Sequence, residues 1–129
     1  MNFPFSPEGE LIIIQATAFG PRGLAIVKLA LDTGATGTML NAGTLEFLGY
    51  DPDKVYEKVQ MITGSSIEIV PRIPLSKFIA LGYTLENYPV LCHNLPRSTE
   101  VDGLLGLDFF QKKILTIDFE IGLISVEEK

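Results

Sequence analysis

The chain has 129 residues, 47% of them hydrophobic and 20% charged, with a formal net charge of −6. That length supports one domain with a real core, residues 1–129, and is too short for two full lobes. The acidic balance and the scattered Lys and Arg exclude a nucleic-acid groove, which needs clustered basic side chains.

Turn signals recur at short intervals between strand-like runs, so the chain reads as mostly β. Residues 1–9 are expected to be an irregular N-terminal segment. Leu11–Ala18 is a first strand, Gly20-Pro21-Arg22-Gly23 a turn, and Leu24–Leu31 the returning hairpin partner. Ala25, Val27, Leu29 and Leu31 give that second strand one wholly apolar face. Asp32-Thr33-Gly34-Ala35 follows at once. A carboxylate delivered there by a buried strand sits in a low-dielectric site, where it needs hydrogen bonds, a proton or a partner.

Thr38–Leu40 is a short strand, and a helical patch over Ala42–Leu48 stops at Gly49. Val55–Thr63 and Ser66–Ile73 flank Gly64-Ser65 as a second hairpin with a mobile tip. Leu75–Leu81 and Thr84–Leu91 flank Gly82-Tyr83 as a third. His93–Glu100 reads as a polar loop around Pro96, and Asp108–Lys112 as a short helix. Ile114–Phe119 and Leu123–Val126 close the chain around a turn at Glu120-Ile121-Gly122.

Cys92 is the one cysteine and His93 the one histidine. No intramolecular disulfide or Cys-built zinc cage can form, and Ser-His-Asp or Cys-His chemistry would rest on His93 alone. Neighbouring side chains on a strand point to opposite faces, so the two do not form a catalytic pair and His93 reads as a surface strand or loop histidine. The first ten residues hold two prolines and two glutamates without a basic start, and Leu11–Ile14 is a short apolar run. No secretory signal and no membrane-length segment is expected. The expected location is cytoplasmic, or that of an anchored or exported parent from which this domain is excised.

Asp-Thr-Gly by itself could be an aspartate capping its own turn. A second feature lies about seventy positions on, in Val101-Asp102-Gly103-Leu104-Leu105-Gly106-Leu107-Asp108-Phe109, where two apolar residues precede a glycine. The hairpin tip Thr63-Gly64-Ser65-Ser66 lies between them. A phosphate-binding loop at Gly34-Ala35-Thr36-Gly37-Thr38 would need Lys where Thr38 stands. An aspartyl-phosphate enzyme would need an alternating α/β scaffold that the β-rich pattern does not supply. Asp102 and Asp108 read as structural acids, bonding amides in the Gly103 and Gly106 turns or pairing with a basic side chain. Asp51, Asp53, Glu57, Glu127 and Glu128 read as solvated.

In order, spacing and residue type the chain resembles the retropepsin-like aspartic proteases, over nearly its whole length. Asp32, Thr33, Gly34 and Ala35 match that family's catalytic turn, and Leu104-Leu105-Gly106 its hydrophobic-hydrophobic-glycine motif. Asp102–Phe109 with Ile114–Phe119 looks most like the bacterial and retrotransposon-type members. Thr36 stands where many relatives carry serine, and both keep a hydroxyl. The resemblance implies a closed, mostly antiparallel β-barrel with one or two short helices, and a flap at Thr63-Gly64-Ser65-Ser66 over a peptide cleft.

It further implies a homodimeric aspartic endopeptidase acting on peptide or protein substrates, with no metal and no cofactor. One Asp32 cannot perform two-carboxylate chemistry, so Asp32 and its copy in a second chain would meet on a two-fold axis and share a proton. Thr33 would brace the two loops across that axis, and Gly34 would orient the carboxylates. The alternative is a non-catalytic module of the same fold that binds peptides or mediates dimerisation. A small barrel whose Asp-Thr-Gly is accidental is the third reading, opposed by the second motif.

Overall fold

A computed structural model describes residues 1–54, 57–63 and 65–128. Ten strands are described: β1 (Asn2–Pro4), β2 (Ile13–Gly20), β3 (Gly23–Leu31), β4 (Met39–Leu40), β5 (Glu57–Thr63), β6 (Ser66–Ala80), β7 (Tyr83–Cys92), β8 (Gly103–Leu105), β9 (Lys113–Asp118) and β10 (Leu123–Glu128). One helix, α1 (Ala42–Phe47), and two single turns of tighter helix at Arg97–Thr99 and Leu107–Phe110 complete the described elements.

Six strands close into a barrel in the order β2-β3-β8-β4-β7-β6, and β6 returns to pair with β2. Most pairings are antiparallel; β3 with β8 and β4 with β7 are parallel. Among the described residues β5 pairs with β6 alone, so that hairpin projects from the barrel. Closure removes the free edges that open sheets must guard. Alternation fills the interior: Ala16, Ala18, Val27, Leu29, Ile73, Leu75, Phe78 and Val90 are all almost completely buried. Tyr50 pins the seam where β2 and β6 diverge, its hydroxyl donating to Phe19 O and accepting from Ser76 N.

The N-terminal expectation is corrected. Asn2–Pro4 forms β1, antiparallel to β10, which pairs in turn with β9. Phe3 and Phe5 pack on the main core, and Phe5 meets Phe119 edge-on. Burying those rings holds the segment in strand form.

The second and third hairpins share one strand, because β6 runs unbroken from Ser66 to Ala80 through Pro74. Pro74 stands opposite Pro89, a pairing in which neither residue has an amide to leave unpaired. The third turn falls at Leu81-Gly82, one residue earlier than expected. Both residues have positive φ, 48° and 82°, as tight hairpins demand. The expected helix at Asp108–Lys112 is a single tight turn over Leu107–Phe110. Phe109 and Phe110 are buried there and Lys112 turns to φ 62°, which ends any helix. Val55 and Gly64 lie outside the described residues.

α1 begins at Asn41, whose side-chain oxygen accepts from Thr44 N at 2.7 Å, and the chain leaves it through Gly49 at φ +99°. Among the described residues no helix is long and apolar enough to cross a membrane.

Candidate active site

β3 carries the chain out of the core and ends at Leu31, so Asp32 emerges at the barrel's edge. The backbone holds it tightly. Asp32 N donates to Leu105 O at 2.9 Å, and Ala35 N to Asp32 O at 3.1 Å. Gly34 N donates to Asp32 Oδ1 at 2.9 Å, fixing one carboxylate oxygen within its own turn. Thr33, Gly34 and Thr36 are exposed and Ala35 half-buried. The Thr33 hydroxyl has no partner among the described residues.

The expectation of a buried, low-dielectric site for Asp32 needs correction. Asp32 is half-buried and lines an open cleft of about 510 Å³ together with Leu11, Ala30, Val101, Leu104 and Phe119. Val27, Leu29 and Ala30 of the strand are buried, but the turn after it leaves the core, and among the described residues the carboxylate is left open to the cleft.

The second motif is locked to that turn. β8 lies parallel to β3, with Leu105 opposite Leu31, and antiparallel to β4. Leu105 is buried in the core, whereas Leu104 is half-buried and faces the cleft. Leu107 N donates to Ala35 O at 2.8 Å. A Cβ on Gly106 would stand 2.7 Å from the backbone carbonyl of Gly37 and 2.9 Å from Ala35 O, and one on Gly103 would overlap the Met39 carbonyl. Only glycine admits this approach of two backbones.

Three side chains beneath the turn were not singled out as a group from the sequence. Thr38, fully buried, donates to Asp108 Oδ1 at 2.8 Å and accepts from Gly106 N at 3.1 Å. Tyr88 donates to Asp108 Oδ2 at 3.0 Å, and its hydroxyl lies 2.9 Å from Thr38 Oγ1. Burial holds the Tyr88 phenol far above its ordinary pKa; the Thr38 contact opposes this and the Asp108 charge adds to it. Asp108 also accepts from Phe109 N, and Asp102 from Lys28 N. Both acids are therefore structural, but they reach other amides than those of Gly103 and Gly106, and neither pairs with a basic side chain among the described residues.

The β5–β6 hairpin rises beside the turn. On its inner face Met61 and Val70 cluster with Met39, and Ala35 packs against them. Towards its end Ile62 and Ile67 stand opposite each other and exposed, and Ser65 and Ser66 are exposed. Thr63 closes the ladder opposite Ser66. His93, just beyond β7, is half-buried with Nδ1 3.7 Å from Glu68 Oε2 on β6, and Cys92 is a free, half-buried thiol. They are not arranged about Asp32.

In fold the chain is similar to a retropepsin-like aspartic protease from Rickettsia conorii, with a TM-score of 0.68. That likeness covers 99% of this chain and 90% of the other at 20% sequence identity. No curated protein matches the chain in sequence. The aspartyl protease family pattern, however, matches residues 16–109, from the barrel's first strand through the Asp32 turn to the end of the second motif. The chain belongs to the aspartyl protease family and has the retropepsin-like fold.

Proposed function

We propose that the protein is a homodimeric aspartic endopeptidase in which Asp32 of each protomer supplies one of two catalytic carboxylates. The observation that carries this reading is the pinned but open-sided Asp32. Its backbone is pinned to the second motif and one oxygen is held by Gly34 N–H, while its outer side faces an open apolar cleft. A second copy docked turn to turn supplies both the missing carboxylate and the missing cover. The Thr33 hydroxyl, without a partner among the described residues, is available to bond across the junction.

Two carboxylates a few ångströms apart share one proton, because two adjacent charges repel. The ionised member takes a proton from a water held between them as that water adds to the peptide carbonyl. The protonated member gives its proton to the carbonyl oxygen. The resulting gem-diol collapses with proton transfer to the amide nitrogen, the C–N bond breaks, and no acyl-enzyme forms. The β5–β6 hairpin closes over the extended peptide and excludes water.

Replacing Asp32 by Asn tests the assignment. Peptide hydrolysis should fall by at least about a thousand-fold, with the circular dichroism spectrum unchanged. A folded Asp32→Asn protein that still cleaves peptides, insensitive to a statine-type inhibitor, overturns the reading.

A further inference from the structure

The cleft beside Asp32 does not end at the apolar wall. A second cavity of about 650 Å³ adjoins it, and the two share Glu10, Leu11 and Thr99 in their linings. Together they make a trough leading from the carboxylate past Leu11 and Glu10 towards Ser6 and Ser98. Its charge is one-sided: among the described residues lining either cavity, Asp32 and Glu10 are the charged ones, and no Lys, Arg or His is present. Glu10 is exposed, and its carboxylate makes no ion pair or hydrogen bond among the described residues. A cavity on the other side of the turn is balanced, containing both Arg72 and Asp108.

We infer that the substrates are peptides carrying an apolar residue at the cut and a basic residue a few positions away, the basic side chain pairing with Glu10. This rests on the endopeptidase reading and names its substrate class. The apolar part follows from Leu11, Ala30, Val101 and Leu104, which offer aliphatic surface beside Asp32. The basic part follows from charge. A lysine or arginine stem lies along apolar wall while its head reaches an unpartnered carboxylate, and the chain's net charge of −6 favours cationic partners at long range. An extended peptide advances about 3.3 Å per residue. Since Glu10 and Asp32 line one cavity, the cation belongs within about two to four residues of the cut. Two-fold symmetry would place such a site on each side.

The test uses peptides with a single Leu-Phe pair in a Ser/Ala background and Lys, Gln or Glu at two, three or four positions to either side. The Lys peptides should be cleaved with kcat/KM about five-fold above the Gln peptides, with the Glu peptides lowest. High salt should narrow the gap. In Glu10→Gln the Lys-to-Gln ratio should fall towards one, and in Glu10→Lys the order should reverse. The same peptides are also titrated against the Asp32→Asn protein by fluorescence anisotropy, which reads affinity without hydrolysis. The same order in that arm supports the inference even where no peptide is cleaved, in which case the endopeptidase reading alone falls. Equal rates and affinities for Lys, Gln and Glu peptides overturn the inference, as does a preference that survives in Glu10→Gln.

Discussion

The hydroxyl of Thr38 lies 2.8 Å from a carboxylate oxygen of Asp108, seventy positions further along the chain. Thr38 closes the loop that begins at Asp32, and Asp108 follows the second glycine motif. The bond therefore ties the two halves of the site from beneath, with Tyr88 as third member. Replacing Asp108 by Ala would leave the buried Thr38 and Tyr88 hydroxyls without their acceptor. We expect a loss of about 2–4 kcal/mol in urea unfolding, since each stranded buried group costs roughly 1–3 kcal/mol. Tyr88→Phe removes one donor and leaves Asp108 with Thr38 and Phe109 N, so its cost should be nearer 1 kcal/mol. Equal stabilities for both variants and the parent would show that the triangle contributes nothing.

The same burial makes Tyr88 a spectroscopic marker. Its folded pKa is raised above that of an unfolded tyrosine, chiefly by desolvation. The folded state therefore keeps a proton that the unfolded state has lost, and the stabilising contribution is complete below about pH 10 and declines above it. Ultraviolet titration of the folded protein should leave Tyr88, one of four tyrosines, un-ionised until the protein unfolds. In Tyr88→Phe the alkaline decline in stability should be shallower. Full ionisation of all four tyrosines in the native protein would contradict this.

Gly106 and Gly43 should respond oppositely to alanine. A methyl at Gly106 would strike backbone atoms of Gly37 and Ala35, which cannot move without shifting the Asp32 turn. Gly106→Ala should abolish activity and cost several kcal/mol, in the range of about 1–3 or more for overpacking. At Gly43, in α1, the nearest atom would be Asn41 Oδ1 at 3.7 Å, an ordinary contact. Gly43→Ala should stabilise by about 0.5–1 kcal/mol. Thermal unfolding of both variants decides it; a Gly106→Ala protein with parental stability and activity would mean that the close approach is dispensable.

Much of this architecture was legible in the sequence because it is local. The hairpins around Pro21-Arg22 and Gly82, the alternation in Leu24–Leu31 and the two glycine motifs each carry their signal within a few residues. What the sequence did not disclose depends on register between distant strands. Pro74 looks like a strand break until Pro89 is seen opposite it. Tyr88, Thr38 and Asp108 look unrelated until parallel pairing sets Leu40 against Cys92 and Leu31 against Leu105. Phe3 and Phe5, with their alternate spacing, were the available hint that the N-terminus forms a strand. The depth of Asp32 is not legible for a related reason: an apolar strand face reports its own burial, not that of the turn it leads into.

Activity should require the dimer. Each protomer offers one Asp32, so specific activity should fall faster than linearly once dilution passes the dimer dissociation constant. Sedimentation equilibrium at matched concentrations gives the independent measure of dimer. Specific activity that stays constant where the protein sediments as monomer would remove the second carboxylate from the mechanism.

The β5–β6 hairpin should be firm at its base and loose at its end. At the base β6 is also paired with β7, from Arg72 opposite Leu91 onward, whereas the rungs from Val59–Val70 to Thr63–Ser66 rest on inward contacts such as Met61 and Val70 with Met39, and Ile62, Ile67 and Ile69 face outward and are exposed. Among the described residues β5 pairs with β6 alone, so opening the Thr63–Ser66 and Ile62–Ile67 rungs breaks one ladder and exposes little new apolar surface, both isoleucines being exposed already. Amide exchange at Ile62, Ser66 and Ile67 should therefore be much faster than along Gly23–Leu31, which is paired on both sides over its last residues. A bound transition-state inhibitor should slow those amides if the hairpin closes over the peptide. Met61→Ala, which removes the inward contact of the hairpin's outer half, should raise KM more than it lowers kcat, with a small loss of global stability because Met61 lies in the smaller of the two clusters. Protection at Ile67 equal to that at Leu29, unchanged by inhibitor, would mean that the hairpin is a rigid wall of the cleft and not its moving cover.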